Sequence, residues 1–364
     1  MKIAMLGPIT REISRKTTGS RPKLVYDLSN YLTKQGHEVT VYGSADSKVN
    51  ARLVSVVPQS IYSLPTATDN PFYIHTSYLS VYIEEFLKRA NEYDIINNHF
   101  YPEYFPLHFT RFINTPIVTT THFCRIEDIK HVYKYFPNTY YVAISEDQIR
   151  RGKPIKFIGI VRNGIDISDF LYNDTPKDYL LFFGRMKFFK DAKRNQVDPK
   201  GVTDAIKVAE LLNEKLIIAG NCETQDFFDK TIKPHLNDKI TFPGPVDALG
   251  PFGLKEKVKL YQNAKTLLFP SNWDEGLPLV PLEAMACGTP VIAYYNTSLP
   301  EEIIDGKTGY IVPKGDYRAM AKAVKKIDQI KRKDCRKHIE NNFTTEVMGR
   351  NYEELYKKIL AKRI

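Results

Sequence analysis

Cysteine is scarce in this sequence. Four cysteines occur in 364 residues, and no two of them have the close spacing of a metal-binding or redox motif. Disulfide-stabilised domains and zinc modules need dense or paired cysteines, so neither class is expected. Scattered free thiols fit a reducing compartment, and we predict a cytoplasmic location. The four residues are Cys124, Cys222, Cys287 and Cys335.

Long apolar runs are also missing. A membrane-spanning helix needs about 18 or more consecutive apolar residues, and no segment approaches that length. The N-terminal MKIAMLGPIT is too short in its apolar part for a signal peptide, so we interpret it as a first buried strand. Any membrane contact is therefore expected to be peripheral, at the inner face.

Acidic residues are outnumbered by basic ones, and the formal net charge is +10. Such a charge suits a nucleic acid, an anionic lipid surface or an anionic substrate. The local clusters at Lys187–Arg194 and Lys322–Lys337 do not interleave aromatic residues in the pattern of a nucleic-acid-binding module. We predict no nucleic-acid partner and interpret the second cluster as a solvated helix face.

The length and the order of the predicted elements favour two α/β domains. A single core stops growing beyond about 250–300 residues, and 43% of the residues are hydrophobic, enough for two cores. Short apolar strands alternate with helices, as at Lys2–Leu6 and Glu38–Tyr42, which flank a helix with leucines at every fourth position. We place the domains at 1–170 and 171–343, followed by a helix within 344–364.

The most informative stretch is Ser271–Tyr295, SNWDEGLPLVPLEAMACGTPVIAYY. Glu275 follows a predicted strand, and Glu283 lies on a helix with Pro281 in its first turn. Parallel α/β sheets bind ligands outside the carboxyl ends of their strands. Carboxylates there accept hydrogen bonds from polyol hydroxyls, and a helix N-terminus favours a phosphate. The stretch therefore predicts a ligand that is both sugar-like and anionic.

The spacing of the two glutamates resembles the Glu-x7-Glu signature of retaining glycosyltransferases of family 4, and EAMACGTPVIAY resembles the same motif almost residue for residue. The resemblance implies the GT-B fold, in which two Rossmann-like domains carry parallel sheets facing each other across a cleft. It makes the first domain the acceptor domain and the second the nucleotide-sugar-binding domain, with the C-terminal helix packing back on the first. Where the family usually has Glu-x-Phe-Gly, this chain has Pro278 in place of the final glycine and loses one N–H donor.

Other residues match the family by position. Gly19 resembles half of a Gly-Gly pair that approaches a phosphate, although a plain loop glycine is the alternative. His122 matches the residue that hydrogen-bonds the donor sugar, and the match of His99 is weaker; structural histidines are the alternative. Gly244 lies where the backbone of the family holds the nucleotide base.

Arg185 follows a predicted strand and is placed to clamp a diphosphate with its guanidinium. In the family a Lys-Gly pair completes the clamp about five residues later. Here Lys190 precedes an aspartate, whereas Lys200 precedes Gly201 and a helix in the register of the family. We choose Lys200 for this role.

The choice of Lys200 makes Met186–Pro199 an inserted loop that is basic and has Phe188 and Phe189 exposed. Such a loop suits contact with an acceptor or a membrane surface, and a merely mobile insertion is the alternative. In the first domain, Pro71–Tyr82 and Phe123–Tyr141 are read as tyrosine-rich loops compatible with a saccharide or lipid-linked acceptor.

These residues predict transfer of a sugar from a nucleoside-diphosphate sugar, UDP- or GDP-linked, to a hydroxyl of a saccharide or a lipid-linked glycan. The chain contains no Asp-x-Asp pair of the kind that holds a metal in many transferases. We therefore expect a metal-independent reaction with no cofactor beyond the donor as co-substrate. Retention of the anomeric configuration is implied by the resemblance alone.

The predicted roles divide by charge. Arg185 and Lys200 stabilise the leaving diphosphate. Glu275 faces the positively charged sugar ring, Glu283 accepts from the ribose hydroxyls, and His122 orients the sugar. The full set assigned to the donor also includes Gly19, Gly276, Leu277, Pro278, Leu279 and Gly244.

Two other functions remain open at this point. A nucleotide-sugar epimerase or a phosphorylase of the same fold would use a similar site, because fold alone does not determine chemistry. The intact pair of glutamates argues against a non-catalytic subunit that binds nucleotide sugar or polysaccharide, but the long separation between Arg185 and Lys200 keeps this alternative open. Ligand binding and turnover discriminate these functions from the transferase.

Overall fold

The chain forms two compact units. Unit 1 consists of Met1–Gly164 together with Thr345–Ile364, and unit 2 consists of Ile165–Thr344. The boundary between the units, after Gly164, lies a few residues before the predicted boundary at residue 170. The computed structural model describes residues 1–17, 19–64, 71–190, 195–244 and 253–362.

A seven-stranded parallel sheet forms the centre of unit 1. Its strands are β1 (Lys2–Leu6), β2 (Glu38–Ser44), β3 (Arg52–Val57), β4 (Ile95–Asn98), β5 (Ile117–Thr120), β6 (Tyr140–Ala143) and β7 (Phe157–Ile160). Their spatial order is β3-β2-β1-β4-β5-β6-β7. The central β1 is buried after its first residue, as expected for a strand with both faces covered. Because all strands are parallel, their carboxyl ends share one edge.

Among the described residues of unit 1, four helices come before the last strand, β7, in the chain: α1 (Ser20–Lys34), α2 (Pro71–Leu87), α3 (Ile126–Tyr133) and α4 (Glu146–Gly152). Helix α2 shows that the predicted loop at Pro71–Tyr82 was wrong. Leu79, Tyr82 and Phe86 repeat on one helical face and are buried in the core. The aromatic composition obscured this period, since tyrosine is enriched in strands. Helix α3 likewise occupies part of the second predicted loop.

A six-stranded parallel sheet forms the centre of unit 2. The strands of this unit are β8 (Leu180–Phe183), β9 (Phe189–Lys190), β10 (Gln196–Val197), β11 (Leu216–Ala219), β12 (Ile240–Thr241), β13 (Thr266–Phe269), β14 (Val291–Tyr294) and β15 (Gly309–Val312). The sheet has the order β12-β11-β8-β13-β14-β15, whereas β9 and β10 form a separate antiparallel hairpin. The reversal of strand order beside β8 is the position where such sheets bind ligands.

The helices of unit 2 are α5 (Val202–Leu212), α6 (Gln225–Phe227), α7 (Leu254–Asn263), α8 (Leu279–Ala286), α9 (Leu299–Glu302), α10 (Tyr317–Val324) and α11 (Arg332–Asn342). The first residue of α11 ties several of these elements together. The guanidinium of Arg332 donates to the carbonyl oxygens of Asn173, Ala264 and Gln262 at 2.6–2.9 Å. These bonds satisfy buried carbonyls that the adjoining helix and loop ends leave open.

The last helix, α12 (Thr345–Leu360), packs on unit 1. The side-chain amide of Asn97 donates to the Tyr356 hydroxyl at 2.6 Å. A Cβ at Gly349 would lie 2.1 Å from the ring of Tyr31, so α1 and α12 approach too closely there for any side chain. Across the described ranges, we find no helix with the length and apolar character needed to cross a membrane.

Candidate functional site

The carboxyl edge of the unit 2 sheet collects most of the residues predicted to bind the donor. Strands β8 and β13 are parallel neighbours, so the loops that follow them leave from the same edge. Arg185 follows β8, Glu275 follows β13, and Glu283 lies on α8. The sheet topology therefore brings together residues that are far apart in the chain.

Lys200 is positioned by the start of α5. Gly201 caps this helix with a φ of 76°, and a Cβ there would lie 2.1 Å from the carbonyl oxygen of Pro270. Only glycine tolerates both conditions. The carboxylate of Asp198 accepts a hydrogen bond from the Gly201 N–H at 2.9 Å. These contacts hold the start of α5 against the end of β13, where the Lys200 side chain reaches Glu275.

Glu275 carries a nearly buried carboxylate with two close donors. Its Oε1 lies 2.5 Å from Lys200 Nζ and 2.6 Å from Ser271 Oγ. The Glu275 side chain is only 8% exposed, and a carboxylate with so little solvent contact needs such partners. The ion pair keeps the carboxylate in one orientation and places a cation directly beside it.

A short segment after β14 holds the Glu275 backbone. The hydroxyl of Thr297 accepts from the Glu275 N–H at 3.0 Å and donates to the Glu275 carbonyl at 2.7 Å. Thr297 has a φ of 41°, in the left-handed region that β-branched residues rarely adopt. Such strain persists where the surroundings enforce it, commonly at ligand sites. Asn296 adds a hydrogen bond to the carbonyl of Ser271 at 3.1 Å.

A neutral carboxyl group lies behind this segment. Glu302 is fully buried, and its Oε1 accepts from Ser298 Oγ at 3.2 Å, while Oε2 has no hydrogen-bond partner among the described residues. Burial raises the pKa of Glu302 well above its usual value, and the charge of Glu275 raises it further. The raised pKa favours the protonated, neutral form of Glu302.

Glu283 is held by two residues of α7. Its carboxylate accepts from Lys257 Nζ at 2.7 Å and from the Tyr261 hydroxyl at 2.9 Å. The Lys257 ammonium also lies 5.3 Å from the centre of the Phe183 ring, at the end of β8. Burial and the charge of Glu283 raise the pKa of Tyr261, so its hydroxyl remains a donor. The Glu283 side chain is thereby preorganised at the strand edge.

The residues between the two glutamates form the approach to α8. Pro278 caps the helix with an extended backbone, φ −70° and ψ 139°, and Leu279 is the first helical residue. Leu277 is buried and anchors the turn after Gly276. The first N–H groups of a helix have no partner within the helix and favour an anion. The predicted helix start is therefore present, with Pro278 supplying no N–H.

Arg185 is more exposed than Lys200 and has a different carboxylate partner. Its Nε lies 3.3 Å from Glu223, and Lys187 Nζ lies 2.7 Å from the same carboxylate. The Arg185 side chain is 57% exposed. A pair so exposed contributes little to stability, which leaves the guanidinium available to a stronger anion.

Within the segment predicted as an inserted loop, strands β9 and β10 pair in antiparallel fashion, and residues 191–194 between them lie outside the described residues. The prediction that the two phenylalanines of this segment are exposed was wrong. Both side chains are half-buried. The ring of Phe188 packs on Phe227 at 4.7 Å, and that of Phe189 packs on Trp273 at 5.0 Å. Aromatic contacts across the chain bury these rings, which sequence spacing does not reveal. Lys190, the second residue of β9, is exposed.

Gly244, predicted near the nucleotide base, follows the short edge strand β12. Its φ is 105°, a conformation that L side chains rarely adopt, so a glycine is required at this turn. Residues 245–252, which follow it, lie outside the described residues. The structure thus places Gly244 at the carboxyl end of β12, next to β11.

Unit 1 brings its two predicted histidines together. His99 follows β4 and His122 follows the neighbouring β5, and His99 Nδ1 lies 2.8 Å from His122 Nε2. Burial lowers the pKa of His99 to about 3, and the charge of Arg21 lowers it further. The same two causes, together with the neighbouring His99, hold the pKa of His122 well below its usual value. Both rings are therefore neutral.

Arg21 links this pair to a buried carboxylate. It lies in the first turn of α1, and its Nη1 donates to the carbonyl of Phe100 at 2.5 Å and to Glu103 at 3.2 Å. Glu103 also accepts from the hydroxyl of Tyr133 at 3.0 Å. The Arg21 guanidinium lies 5.2 Å from the ring centre of Tyr101. Nothing in the local sequence marked this network.

Gly19 caps α1, which begins at Ser20. Its φ of −88° is open to any residue, so the glycine is not required by backbone conformation. A Cβ would lie 3.0 Å from the ring of Pro22 and 3.2 Å from Arg11. A small residue is thus favoured by crowding, and Thr18 before it lies outside the described residues.

A metal site would need several His, Cys, Asp or Glu side chains close together in the described part of the chain. No group of three or more His, Cys, Asp or Glu side chains is arranged to hold a metal ion there. The charges at the unit 2 edge are instead matched between side chains.

Two family descriptions match the two halves of the chain. Residues 23–168 match Glycosyltransferase Family 4, and residues 193–344 match Glycosyl transferases group 1. The chain belongs to glycosyltransferase family 4. The predicted family is thereby supported, and the prediction of a glycosyltransferase is confirmed at the level of the family.

Solved structures confirm the predicted fold class of this family 4 chain. Sucrose-phosphate synthase (tll1590) from Thermosynechococcus elongatus superposes with a TM-score of 0.74 at 18% identity, covering 99% of each chain. Alr3699/HepE from Anabaena, in complex with UDP-glucose, superposes with a TM-score of 0.70 at 15% identity, covering 98% of this chain and all of the other. At such identities the likeness shows the GT-B fold.

Curated relatives of the family 4 chain are matched over part of their length. The capsular polysaccharide biosynthesis glycosyltransferase CapM of Staphylococcus aureus is 27% identical over 177 residues, which is 46% of this chain and 45% of CapM. The chain spans about half the length of the curated relatives it matches.

The structure adds residues that sequence reasoning missed in this family 4 chain. Lys257 and Tyr261 donate hydrogen bonds to the carboxylate of Glu283, and the Thr297 hydroxyl bonds both the N–H and the carbonyl of Glu275. The i, i+4 spacing of Lys257 and Tyr261 on α7 was a usable signal, because it places both on one helical face. Thr297 gave no such signal.

Proposed function

We propose that this protein transfers a sugar from a nucleoside-diphosphate sugar to an acceptor hydroxyl, with retention of configuration and without a metal. One observation carries the proposal: the unit 2 strand edge holds two buried carboxylates, each bonded to a lysine. Glu275 pairs with Lys200, and Glu283 pairs with Lys257. A nucleotide sugar has hydroxyls for the carboxylates and a diphosphate for the cations, so it matches both kinds of group.

In this proposal Glu283 receives the ribose hydroxyls. Its two donors, Lys257 and Tyr261, hold the carboxylate in place before a ligand arrives. The diphosphate then lies at the start of α8, where helix N–H groups favour an anion. Arg185 exchanges its exposed contact with Glu223 for the phosphate oxygens.

The transfer step separates charge. The bond between the anomeric carbon and the diphosphate oxygen breaks, negative charge develops on the phosphate, and positive charge develops on the sugar ring. In this proposal Lys200 stabilises the negative charge and Glu275 stabilises the positive charge. Their 2.5 Å contact supports these roles, because the two opposite charges develop at the ends of one breaking bond. The acceptor hydroxyl forms the new bond on the same face, and its proton passes to the departing phosphate.

The donor is proposed to be a UDP-sugar, and the product a polysaccharide or a lipid-linked glycan. UDP-glucose is the ligand of the Anabaena structure with the same fold. CapM, which matches this chain over about half its length, is named for capsular polysaccharide biosynthesis. The predicted contact of His122 with the donor sugar stays a prediction, as do the phosphate role of Gly19 and a peripheral membrane location in the cytoplasm.

The first experiment measures binding and turnover together. Thermal unfolding is followed with a panel of UDP-, GDP- and ADP-sugars in EDTA, since a ligand of the folded state raises the Tm by mass action. Nucleotide release is then measured with the donor that binds, with and without saccharide acceptors. We expect one UDP-sugar to raise the Tm and to turn over only with an acceptor.

Two variants make this experiment specific. Glu283→Gln should abolish the shift, because the amide cannot pair with Lys257 or accept from the ribose as a carboxylate does. The matched control is Glu210→Gln, which removes an exposed carboxylate paired with His235 in the same unit. Binding without turnover would favour a binding subunit, conversion of the free donor would favour an epimerase, and loss of turnover in EDTA would contradict the metal-free reaction.

A further inference from the structure

The His99–His122 contact depends on the position of one proton. A neutral imidazole has one N–H donor and one bare nitrogen acceptor. His99 Nδ1 and His122 Nε2 are 2.8 Å apart, so one of these two nitrogens carries the hydrogen. Burial and the nearby Arg21 lower the pKa of both rings, which excludes a charged pair. Two neutral arrangements remain.

The other nitrogen of His99 decides between them. His99 Nε2 is buried and has no hydrogen-bond partner among the described residues. If His122 Nε2 carried the shared proton, His99 Nε2 would hold an N–H with no acceptor. A buried N–H without an acceptor is rarer in proteins than an acceptor without a donor.

We propose that His99 is a positioning residue, which donates its Nδ1–H to His122 Nε2 and thereby fixes His122 as the Nδ1–H tautomer. His122 Nδ1 makes no hydrogen bond to any residue that the structure describes. His122 as a whole residue is partly exposed, whereas His99 is buried. His122 therefore presents an N–H donor to a ligand, and the ligand atom that binds there must be a hydrogen-bond acceptor.

The ligand part of this inference rests on the proposed function. If His122 contacts the donor sugar, it donates to a hydroxyl oxygen, and the hydrogen of that hydroxyl must point to another acceptor. His99 then determines which way the sugar hydroxyl is oriented without touching the sugar. The tautomer itself does not depend on the identity of the ligand.

The test is a direct measurement of ring protonation. The full chain, labelled with ¹⁵N at its eight histidines, is examined by long-range ¹H–¹⁵N correlation at neutral pH. Signals of His122 are assigned by their loss in His122→Gln, and those of His99 by their loss in His99→Asn. We expect protonated Nδ1 and bare Nε2 on both rings. A His122 ring protonated at Nε2 would overturn the proposal.

Two variants of His99 separate positioning from packing. His99→Phe keeps the ring contact with Tyr352, whose centre is 5.8 Å away, but has no donor. His99→Asn places an amide N–H near the former Nδ1. In the phenylalanine variant we expect the Nε2–H form of His122 to appear, whereas the asparagine variant should keep Nδ1–H.

Activity provides the second readout. The phenylalanine variant should lose about five- to tenfold in kcat/KM, the value of one hydrogen bond, and the asparagine variant should stay within about twofold of wild type. Equal losses in both variants would contradict positioning and indicate packing alone. If the phenylalanine variant fails to fold, the wild-type spectrum still decides the tautomer.

UDP-glucose is the probe that separates this inference from the proposed function. Movement of the His122 signals on addition of UDP-glucose would support both. If the Nδ1–H tautomer is found but no UDP-sugar moves the signals or turns over, the role of His99 stands and the proposed function fails. If UDP-glucose turns over while His122 is protonated at Nε2, the proposed function stands and the role of His99 fails.

Discussion

The two units use opposite chemistry at the carboxyl edges of similar parallel sheets. In unit 2 the edge is charged: Lys200 bonds Glu275 and Lys257 bonds Glu283, all with little solvent contact. In unit 1 the corresponding edge carries the neutral pair of His99 and His122. The same topology thus supplies one edge suited to a charged ligand and one suited to uncharged hydroxyls.

The two edges differ in how the cations near their titratable side chains are paired. In unit 2 the carboxylates of Glu275 and Glu283 each have a lysine ammonium within hydrogen-bonding distance, which offsets the cost of burying a charge. In unit 1 the nearby cation, Arg21, has Glu103 as its own partner, and the imidazoles face a positive charge that discourages protonation. Pairing therefore decides which edge is ionised.

The largest expected effect tests the charged edge. Lys200→Met removes the cation beside Glu275, and we expect kcat to fall about 100- to 1,000-fold, as for loss of one preorganised transition-state donor. Steady-state release of the nucleotide measures it. The change should far exceed the loss in any His99 variant.

Lys230→Met is the matched control for that substitution. Lys230 also bonds a carboxylate, Asp226 at 2.6 Å, but on an exposed helical turn. Its kcat should stay within about twofold of wild type, because exposed pairs contribute little. A similar small loss in Lys200→Met would show that the leaving charge is stabilised elsewhere.

An intermediate effect concerns the neutral acid beneath the charged edge. The pKa of Glu302 is raised in the folded state above its usual 4.5, so its stabilising contribution is full below that value and is lost as the pH rises towards the folded pKa. Glu302→Gln removes this titration. Relative to the variant, wild type should lose up to about 1.4 kcal/mol of unfolding free energy per pH unit in that range.

Denaturant unfolding of both proteins at pH 5 and pH 8 measures this difference. The control is Asp328→Asn, which neutralises an exposed carboxylate of the same unit. A constant gap between wild type and Glu302→Gln at the two pH values would mean that Glu302 is ionised or solvated in the folded protein.

The smallest expected effect tests whether Glu223 belongs to the charged edge. Glu223 forms ion pairs with two cations, the exposed Arg185 and the partly exposed Lys187. Glu223→Gln should tighten binding of UDP by about two- to fivefold. In the variant, Arg185 and Lys187 no longer have to give up an ion pair with a carboxylate before they bind the phosphate. Calorimetric titration at low and high salt measures it, and the gain should shrink with salt. Weaker binding would show that Glu223 supports the site.

Much of the charged edge was predictable, and little of the neutral one was. Glu275, Glu283 and the start of α8 follow from a glycine, a proline and a helical period within one short stretch. The meeting of His99 and His122 required knowing that β4 and β5 are neighbours. The helical fold of Pro71–Leu87 was missed because aromatic residues obscured its period.

The sequence by itself determined the α/β class, the family and the positions of the acidic and basic residues, because strand and helix periods and the Glu-x7-Glu spacing are local properties of the chain. The tertiary structure decided which charges meet. Lys200 reaches Glu275 through the close approach of Gly201 to Pro270. Ionisation, tautomer and orientation depend on such neighbours in space, and distance along the chain does not encode them.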